Sequence, residues 1–289
     1  MKKYIFSIIL SLMLLSNSAF AKEKLTILNA GSKTGSYAQQ STALAQDLPE
    51  FYEIDLKIPG DHCTAINMLQ NIKGPVIMPW ASDFEAIGRD GIGCATYSFE
   101  PKQVLRYNSD SMQVCSLNFN SIDKEKHTIG HIVPKFVFER SIYAVNDTMN
   151  VNLKPIPYDG SGAVILALVN GEIDFSMTTP KHSKKILDQG GKCFWEFSDS
   201  KTTSLVPLQN IDPNNKRLSV GYDTVWLAIN MDDSQIEEIK KIFYNIHNLK
   251  GTAINTYSQD GVLLNVGWNL EYSLIKEKWE KSVSNMQEK

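Results

Sequence analysis

The fold is decided by a stretch near the start of the chain, Leu25-Thr-Ile-Leu-Asn-Ala-Gly-Ser-Lys-Thr-Gly-Ser-Tyr37. Its first half is a short apolar run with β-branched residues, which predicts a buried strand. Its second half is rich in glycine and hydroxyl residues and leads into a helical pattern, so it predicts a turn that opens a helix. Since the first backbone N–H groups of a helix have no partner within the helix, this turn is a candidate anion site.

The same order of strand, turn and helix recurs through the first third of the chain. Residues 54–58 alternate as a strand, and Asp61 is placed to cap the helix that follows. Residues 75–78 form a third predicted strand, and residues 79–83 a loop into a short helix over 84–89. Strands that alternate with helices predict a doubly wound, mostly parallel sheet.

A second set of such units follows, which predicts a second lobe of similar architecture. Its strands are predicted at 127–130, 154–158, 173–177 and 193–197, and its helices at 135–146 and 163–169. The turn Asp159-Gly-Ser-Gly162 lies between a strand and a helix, as the first turn does. A single turn of this kind needs glycine and serine for conformational reasons alone. One in each half favours a ligand site at the carboxyl ends of the strands. A strand at 224–229 and helices at 232–247 and 270–286 complete the predicted elements.

Composition excludes several classes of protein. The chain has 289 residues, of which 43% are hydrophobic, with a formal net charge of −3. This is typical of one large or two medium globular domains rather than a disordered or fibrous chain. Because the body of the chain has no basic run, nucleic acid and anionic lipid are not expected as partners.

The N-terminus has the pattern of a cleaved secretory signal. Lys2 and Lys3 precede an apolar stretch over 4–15, and Ala19-Phe20-Ala21 offers small residues at the cleavage site. The alternative, a membrane anchor, needs about 20 apolar residues, more than this run provides. We expect cleavage after Ala21 and, because no cysteine lies near the cut, no lipid anchor. The mature protein is therefore expected in the periplasm as a soluble chain.

The cysteines predict disulfides rather than a metal or redox site. The chain has Cys63, Cys94, Cys115 and Cys193, with no C-x-x-C pair among them. An oxidising compartment allows two bridges, and three connectivities are possible. The five histidines are scattered, so no metal and no cofactor is expected.

Enzymatic motifs are missing from the two glycine turns. The turn at 159–162 lacks the first glycine of a G-x-S-x-G nucleophile elbow. The turn at 31–35 has neither dinucleotide-binding nor P-loop spacing. We therefore expect a binding protein and not an enzyme.

The order of these segments resembles the extracytoplasmic solute receptors of tripartite tricarboxylate transporters. The resemblance covers nearly the whole mature chain, and its most specific part is the stretch from Tyr158 through Gly171 to Phe175. The N-terminal turn, Gly31 to Tyr37, is more similar to the receptors of TRAP-type transporters. The resemblance implies an α/β type II periplasmic binding protein, in which two lobes close over a ligand by hinge motion. With residues 1–21 as the signal peptide, the implied lobes are 22–117 with 218–289, and 118–217.

The resemblance also implies which residues face the ligand. Family members hold carboxylates with backbone N–H and hydroxyl groups at helix starts, which implies hydroxyls from the serines and Thr34, a countercharge from Lys33 and apolar walls from Tyr37, Trp80 and Tyr158. For Trp80 the alternative is packing within its lobe. The implied ligand-binding residues are Gly31, Ser32, Lys33, Thr34, Gly35, Ser36, Tyr37, Trp80, Ala81, Ser82, Asp83, His131, Tyr158, Asp159, Gly160, Ser161 and Gly162.

In this fold the segments that cross between the lobes run side by side, which implies a Cys115–Cys193 bridge at the hinge and a Cys63–Cys94 bridge inside the first lobe. The implied function is capture of a small carboxylated solute by a monomeric receptor and its delivery to the permease subunits of a secondary transporter. Two alternatives remain open: a receptor of the same fold for a non-carboxylate or amine-bearing solute, and a periplasmic enzyme or sensor-coupled protein.

Overall fold

The computed structural model of the chain contains two six-stranded sheets. The residues that it describes are 22–81, 101, 103–132, 137–197, 205–215, 218, 222–260, 264–270 and 272–287. The strands of the first sheet are β1 (Lys24–Leu28), β2 (Glu53–Lys57), β3 (Val76–Ala81), β4 (Gln103–Asp110), β11 (Tyr222–Ile229) and β12 (Leu264–Leu270). The strands of the second are β5 (Met112–Ser116), β6 (Lys126–Ile132), β7 (Asn152–Tyr158), β8 (Phe175–Thr178), β9 (Lys192–Phe197) and β10 (Val206–Pro207).

Helices connect these strands. They are α1 (Ser36–Asp47), α2 (His62–Leu69), α3 (Val137–Met149), α4 (Ser161–Val169), α5 (Pro180–Leu187), α6 (Asp233–Asn248), α7 (Ala253–Asp260) and α8 (Tyr272–Gln287), with a short 3-10 helix at Leu208–Asn210. None of the helices in the described ranges is long and apolar enough to cross a membrane.

The first sheet has the order β12-β4-β11-β3-β1-β2 and the second β10-β9-β5-β8-β6-β7. In the first sheet β2, β1 and β3 are parallel, as the alternation of strands and helices predicts, whereas β11 runs antiparallel between β3 and β4. The two-lobed α/β class expected from the sequence is thus confirmed, with sheets that are mixed rather than uniformly wound. The chain passes between the two sheets from β4 to β5 and from β10 to β11, and both β5 and β11 run antiparallel to the strands beside them.

One hydrophobic cluster spans both sheets. It includes Leu28 and Val225 from the first sheet, and Val114, Ile129 and Phe175 from the second, each at most 1% exposed. By an approximate value of 25 cal/mol per Å² of buried apolar surface, such residues contribute much of the folding free energy. The C-terminal helix α8 contacts α3 of the second lobe and buries Ile275 in this cluster. The lobes therefore share part of their core.

The chain passes from one sheet to the other at Ser111, the single residue between β4 and β5. β5 pairs with β8 and β9 in the second sheet. The expected lobe boundary after residue 117 places β5 in the first lobe, so sheet membership moves that boundary to Ser111. The sequence predicts a strand at 112–119, but its apolar pattern does not indicate which sheet the strand joins.

Candidate ligand-binding site

A cavity of about 570 Å³ lies where the two glycine turns meet. The turn after β1 comes from the first lobe, and the turn after β7 comes from the second. The lining residues are Ala30, Gly31, Ser32, Lys33, Thr34, Gly35, Ser36, Tyr37, Pro59, Gly60, Asp61, His62, Ile132, Tyr158, Asp159, Gly160 and Ser161.

The shape of the first turn is set by Asn29, the residue that follows β1. Its fully buried side chain donates to the carbonyl of Gly31 at 2.8 Å and accepts from the Gly31 N–H at 3.2 Å. The Gly35 N–H then donates to the carbonyl of Ser32 at 3.2 Å. These bonds close the loop on itself and aim the start of α1 at the cavity. Sequence reasoning placed Asn29 in the strand and missed this role, although asparagine is a common turn former.

Two helices that start at this cavity have no side-chain cap. The N-cap residues of α1 and α4 are Gly35 and Gly160, and neither makes a side-chain hydrogen bond to its helix. By contrast, Asp61 caps α2 by accepting from the Thr64 N–H at 2.9 Å, and Asp232 caps α6 in the same way. At α1 and α4 the positive end of the helix dipole therefore faces the cavity without a cap from the N-cap side chain. Together these two helix starts form an anion-binding arrangement.

The turns from the two lobes are in contact. A Cβ atom added to Gly160 would lie 2.3 Å from the Ser32 hydroxyl oxygen, and one added to Gly162 would lie 3.6 Å from the Thr34 carbonyl oxygen. A larger residue at position 160 would therefore require the Ser32 side chain to move. The two glycine turns therefore approach each other closely at this part of the cavity.

Ionisable side chains surround the two helix starts. Burial raises the pKa of the Asp61 carboxyl, but hydrogen bonds from the Thr64 N–H and hydroxyl outweigh it, so the net shift is downward. Burial lowers the pKa of His62, against the smaller opposing effect of Asp61, which favours the neutral imidazole. The aliphatic stem of Lys33 packs against Gly60, whose φ is +104°. Lys33 therefore brings a positive charge to the edge of the cavity that Gly60 and Asp61 also line.

At the opposite edge, Tyr158 and Asp159 follow β7. Tyr158 is half-buried, and its pKa is raised by burial and then by the charge of Glu172, so the ring presents a neutral hydroxyl. Asp159 is exposed. Because Asp159 also lines the cavity, its carboxylate would repel a dianion bound there.

Most of the residues expected at the site lie at the cavity. All of 31–37 and 158–161 line it, and Gly162 lies beside Thr34 of the opposite turn. Their role in ligand binding stays a prediction. Ala81 ends β3, and Ser82 and Asp83 lie outside the described residues.

Trp80 and His131, which were also expected at the site, are buried inside the protein. Trp80 is fully buried in the hydrophobic cluster, because β3 continues through 79–81 as a strand paired with β11 instead of ending in a loop. The Trp80 ring packs within the core, which agrees with the alternative of packing within its lobe. His131 is also fully buried, because β6 extends beyond Gly130 to Ile132, and its Nδ1 lies 3.2 Å from the Ile132 carbonyl oxygen. Ile132, not His131, lines the cavity.

A third turn at the cavity escaped the sequence reasoning. Pro59, Gly60, Asp61 and His62 follow β2 and open α2, which repeats the strand-turn-helix order of the other two turns. The Pro-Gly pair after an alternating strand and the predicted Asp61 cap were the available signals. The parallel pairing of β2 with β1 brings this turn beside the first one.

The predicted Cys115–Cys193 bridge is present and joins β5 to β9, with a Cα–Cα distance of 4.0 Å. Both strands belong to the second sheet, so the bridge lies inside one lobe. The sequence analysis had instead expected this bridge at the hinge between the lobes. Cys63 is disulfide-bonded, and Cys94 lies outside the described residues, so the Cys63–Cys94 pair stays a prediction. Across the described part of the chain, no three His, Cys, Asp or Glu residues group as metal ligands.

Solved structures resemble this architecture over nearly its whole length. The periplasmic binding protein BugD covers 92% of this chain and 96% of its own, with a TM-score of 0.70 and 11% identity. MatC from Rhodopseudomonas palustris, solved with bound malate, covers 93% and 98%, with a TM-score of 0.64 and 13% identity. R. palustris Rpa4515, solved with adipate, covers 93% and 95%, with a TM-score of 0.65 and 12% identity.

The chain has the fold of a two-lobed periplasmic binding protein. At these identities the comparison establishes the fold alone. No protein-family model matches the sequence, and no curated protein matches it. In this fold the cavity described above lies between the lobes, and a TctC solute binding protein from Polaromonas shares the architecture with a TM-score of 0.59 and 13% identity.

Proposed function

We propose that this protein is a periplasmic receptor that binds a small carboxylated solute between its lobes by hinge closure and delivers it to a secondary membrane transporter. The observation that carries the proposal is the pair of uncapped helix starts, at Ser36 and Ser161, that open on one cavity from opposite lobes. Two proteins of this fold have been solved with dicarboxylates, MatC with bound malate and Rpa4515 with adipate. Export rests on the signal sequence at 1–21, which lies outside the described residues.

The energetics require no catalytic group. Micromolar affinity corresponds to about 8 kcal/mol. A hydrogen bond to a charged group contributes roughly 1.5–3 kcal/mol, and a helix N-terminus adds up to about 2 kcal/mol. Four or five such contacts suffice after the costs of association. We expect the backbone N–H groups at the starts of α1 and α4 and the adjacent hydroxyls to make these contacts.

A thermal-shift screen tests the proposal. Dicarboxylates, tricarboxylates, aromatic acids and amino acids are added in turn, and a ligand at 100 times its Kd stabilises the folded protein by about 2.7 kcal/mol. The best stabiliser is then titrated by calorimetry. Absence of stabilisation by every carboxylate would contradict the proposal.

A proline variant locates the binding groups in the same titration. Ser36 is the first residue of α1, where proline is tolerated, so Ser36→Pro removes one backbone N–H from the cavity while keeping the helix. We expect a roughly 10- to 150-fold weaker Kd, the value of one charge-assisted hydrogen bond. Ser36→Ala separates the contribution of the hydroxyl. Asp233→Pro makes the same change at the start of α6, away from the cavity, and is expected to leave the Kd unchanged.

Asp61 and Asp159 support a second candidate, a receptor for a solute that carries both a carboxylate and an amine. Both carboxylates line the cavity that the two helix starts share. An ammonium group would pair with one of them while the solute carboxylate bound the N–H groups. Stronger stabilisation by amino acids than by the matching dicarboxylates would favour this candidate.

A further inference from the structure

A cation–π contact joins the two lobes beside the cavity. The Nζ atom of Lys181 lies 3.3 Å from the centre of the Tyr257 ring. Lys181 belongs to α5, which packs against β5 and β9 of the second sheet, whereas Tyr257 belongs to α7, which packs against α1 and α6 of the first lobe. The contact therefore exists only while the lobes are close together.

The Tyr257 ring is held in place on the first lobe. The side chain is 8% exposed and belongs to the core cluster that contains Leu44 and Phe243. Its hydroxyl donates to the carbonyl oxygen of Ser36 at 3.4 Å, at the start of the helix that opens on the cavity. Because the ring is buried in one lobe, the lysine of the other lobe meets a fixed surface. A pre-positioned, largely desolvated ring is the setting in which a cation–π contact is strongest.

We propose that Lys181 and Tyr257 form a latch that stabilises the closed arrangement of the lobes and so positions α1 for ligand binding. A groove of about 520 Å³ surrounds the latch and is lined by α1, α7 and Lys181. Neither residue of the latch lines the cavity, so both act on the ligand through the closed state. A cation–π contact of this kind shifts the ratio of closed to open lobes by about 2- to 30-fold.

The latch rests on the lobe closure of the proposed function. The latch can nevertheless be tested without a ligand. Spin labels on Asn67→Cys of α2 and Lys154→Cys of β7, both exposed, report the distance between the lobes by double electron–electron resonance. Lys181→Met removes the charge and keeps the stem, and we expect the open fraction to rise about 2- to 30-fold. Lys181→Arg preserves the cation and is expected to keep the wild-type distances.

Lys184→Met is the matched control, because Lys184 lies on the same helix and pairs with Asp188 at 2.7 Å. Tyr257→Phe keeps the ring and is expected to remain closed, whereas Tyr257→Leu is expected to open and to add nothing in combination with Lys181→Met. Urea unfolding checks that each variant is folded. If Tyr257→Leu does not fold, the result for Lys181→Met alone decides the test.

Unchanged distances in Lys181→Met, an equal shift in Lys184→Met, or open lobes in the wild type would overturn the latch. Ligand binding in the thermal-shift screen is a separate result, so either proposal can fail alone.

Discussion

At Gly160 a single hydrogen atom in place of a side chain lets the two lobes touch. The position has an extended backbone, φ 160° and ψ 166°, so the cost of a larger residue comes from the Ser32 side chain that it would meet. Overpacking of this kind costs about 1–3 kcal/mol. In a receptor that opens and closes, this cost falls on the closed state alone.

We therefore expect Gly160→Ala to weaken ligand binding by roughly 5- to 150-fold, the binding equivalent of that energy, in calorimetric titration. Ser32→Gly in the same chain removes the clashing atoms and is expected to restore part of the affinity. Gly74→Ala is the control, since a Cβ atom there meets nothing within 4 Å. Equal Kd values for Gly160→Ala and the wild type would show that the turns do not meet in the bound state.

His182 makes stability depend on pH. It is 1% exposed, and its Nδ1 lies 3.0 Å from the Thr179 hydroxyl. Burial, with smaller effects from Lys185 and Lys181, lowers its pKa from 6.5 to about 4. Below pH 6.5 the unfolded chain binds a proton at this histidine that the folded chain does not, so the folded state loses stability as the pH falls towards 4.

The expected loss is about 3 kcal/mol across that interval, and stability at this site is constant below it. His182→Asn keeps a polar group near Thr179 and removes the titration. Urea unfolding between pH 7 and pH 4 should give a shallower slope for the variant than for the wild type. Parallel slopes would mean that His182 has the same pKa in the folded and unfolded chains.

Among the elements, the β5–β9 pair carries the Cys115–Cys193 bridge. The bridge closes a loop with a sequence separation of 78 residues, and both sulfur atoms lie among the apolar residues of α4 and α5. A loop of this length predicts a substantial loss when the bridge is removed, about 2–5 kcal/mol. Because both strands belong to one sheet, removal of the bridge leaves the relative motion of the lobes unchanged.

The variant Cys115→Ala with Cys193→Ala is accordingly expected to unfold at a lower urea concentration and to bind ligand with an unchanged Kd. Urea titration and calorimetry measure the two quantities separately. A variant with normal stability and altered affinity would support instead the hinge restraint that the sequence suggested.

Several elements follow from sequence periodicity and several do not. The turns at 31–37 and 159–162 were found because glycine and serine follow apolar strands. β4 was missed because the 4% exposed Arg106 interrupts its apolar pattern. α5 was missed because two residues of its buried face, His182 and Ser183, are polar.

β3 extends to Ala81. The sequence predicts a shorter strand, because Pro79 was interpreted as the start of a loop. Proline is typical of loops, but β1 pairs with β3 only at Val76 and Ile77, so β3 has a free edge by Pro79 that tolerates a missing N–H donor. The strand continues and carries Trp80 into the core. Residues 79–81 are a strand because they pair with β11, which lies far away in the sequence. No local sequence pattern shows such pairing.

At the scale of the whole molecule, the two-lobed fold follows from the repetition of βα units, while the order of strands within each sheet does not. The site likewise has some features that the local sequence predicts and others that it does not. Its glycine turns are local features, whereas the closeness of Gly160 to Ser32 and the addition of the turn at 59–62 depend on how the lobes and strands are arranged. Lys181 and Tyr257 lie 76 residues apart in sequence, so no spacing indicates their contact.

The placement of β11 also dictates when each lobe can form during synthesis. β11 lies between β3 and β4, so both of these strands keep an unpaired edge until residues 222–229 have emerged. The second sheet uses only residues 112–207 and is complete earlier. The middle of the polypeptide is therefore able to fold first, while the N-terminal strands wait for the last third of the chain and expose edges on which chaperones or other nascent chains would act.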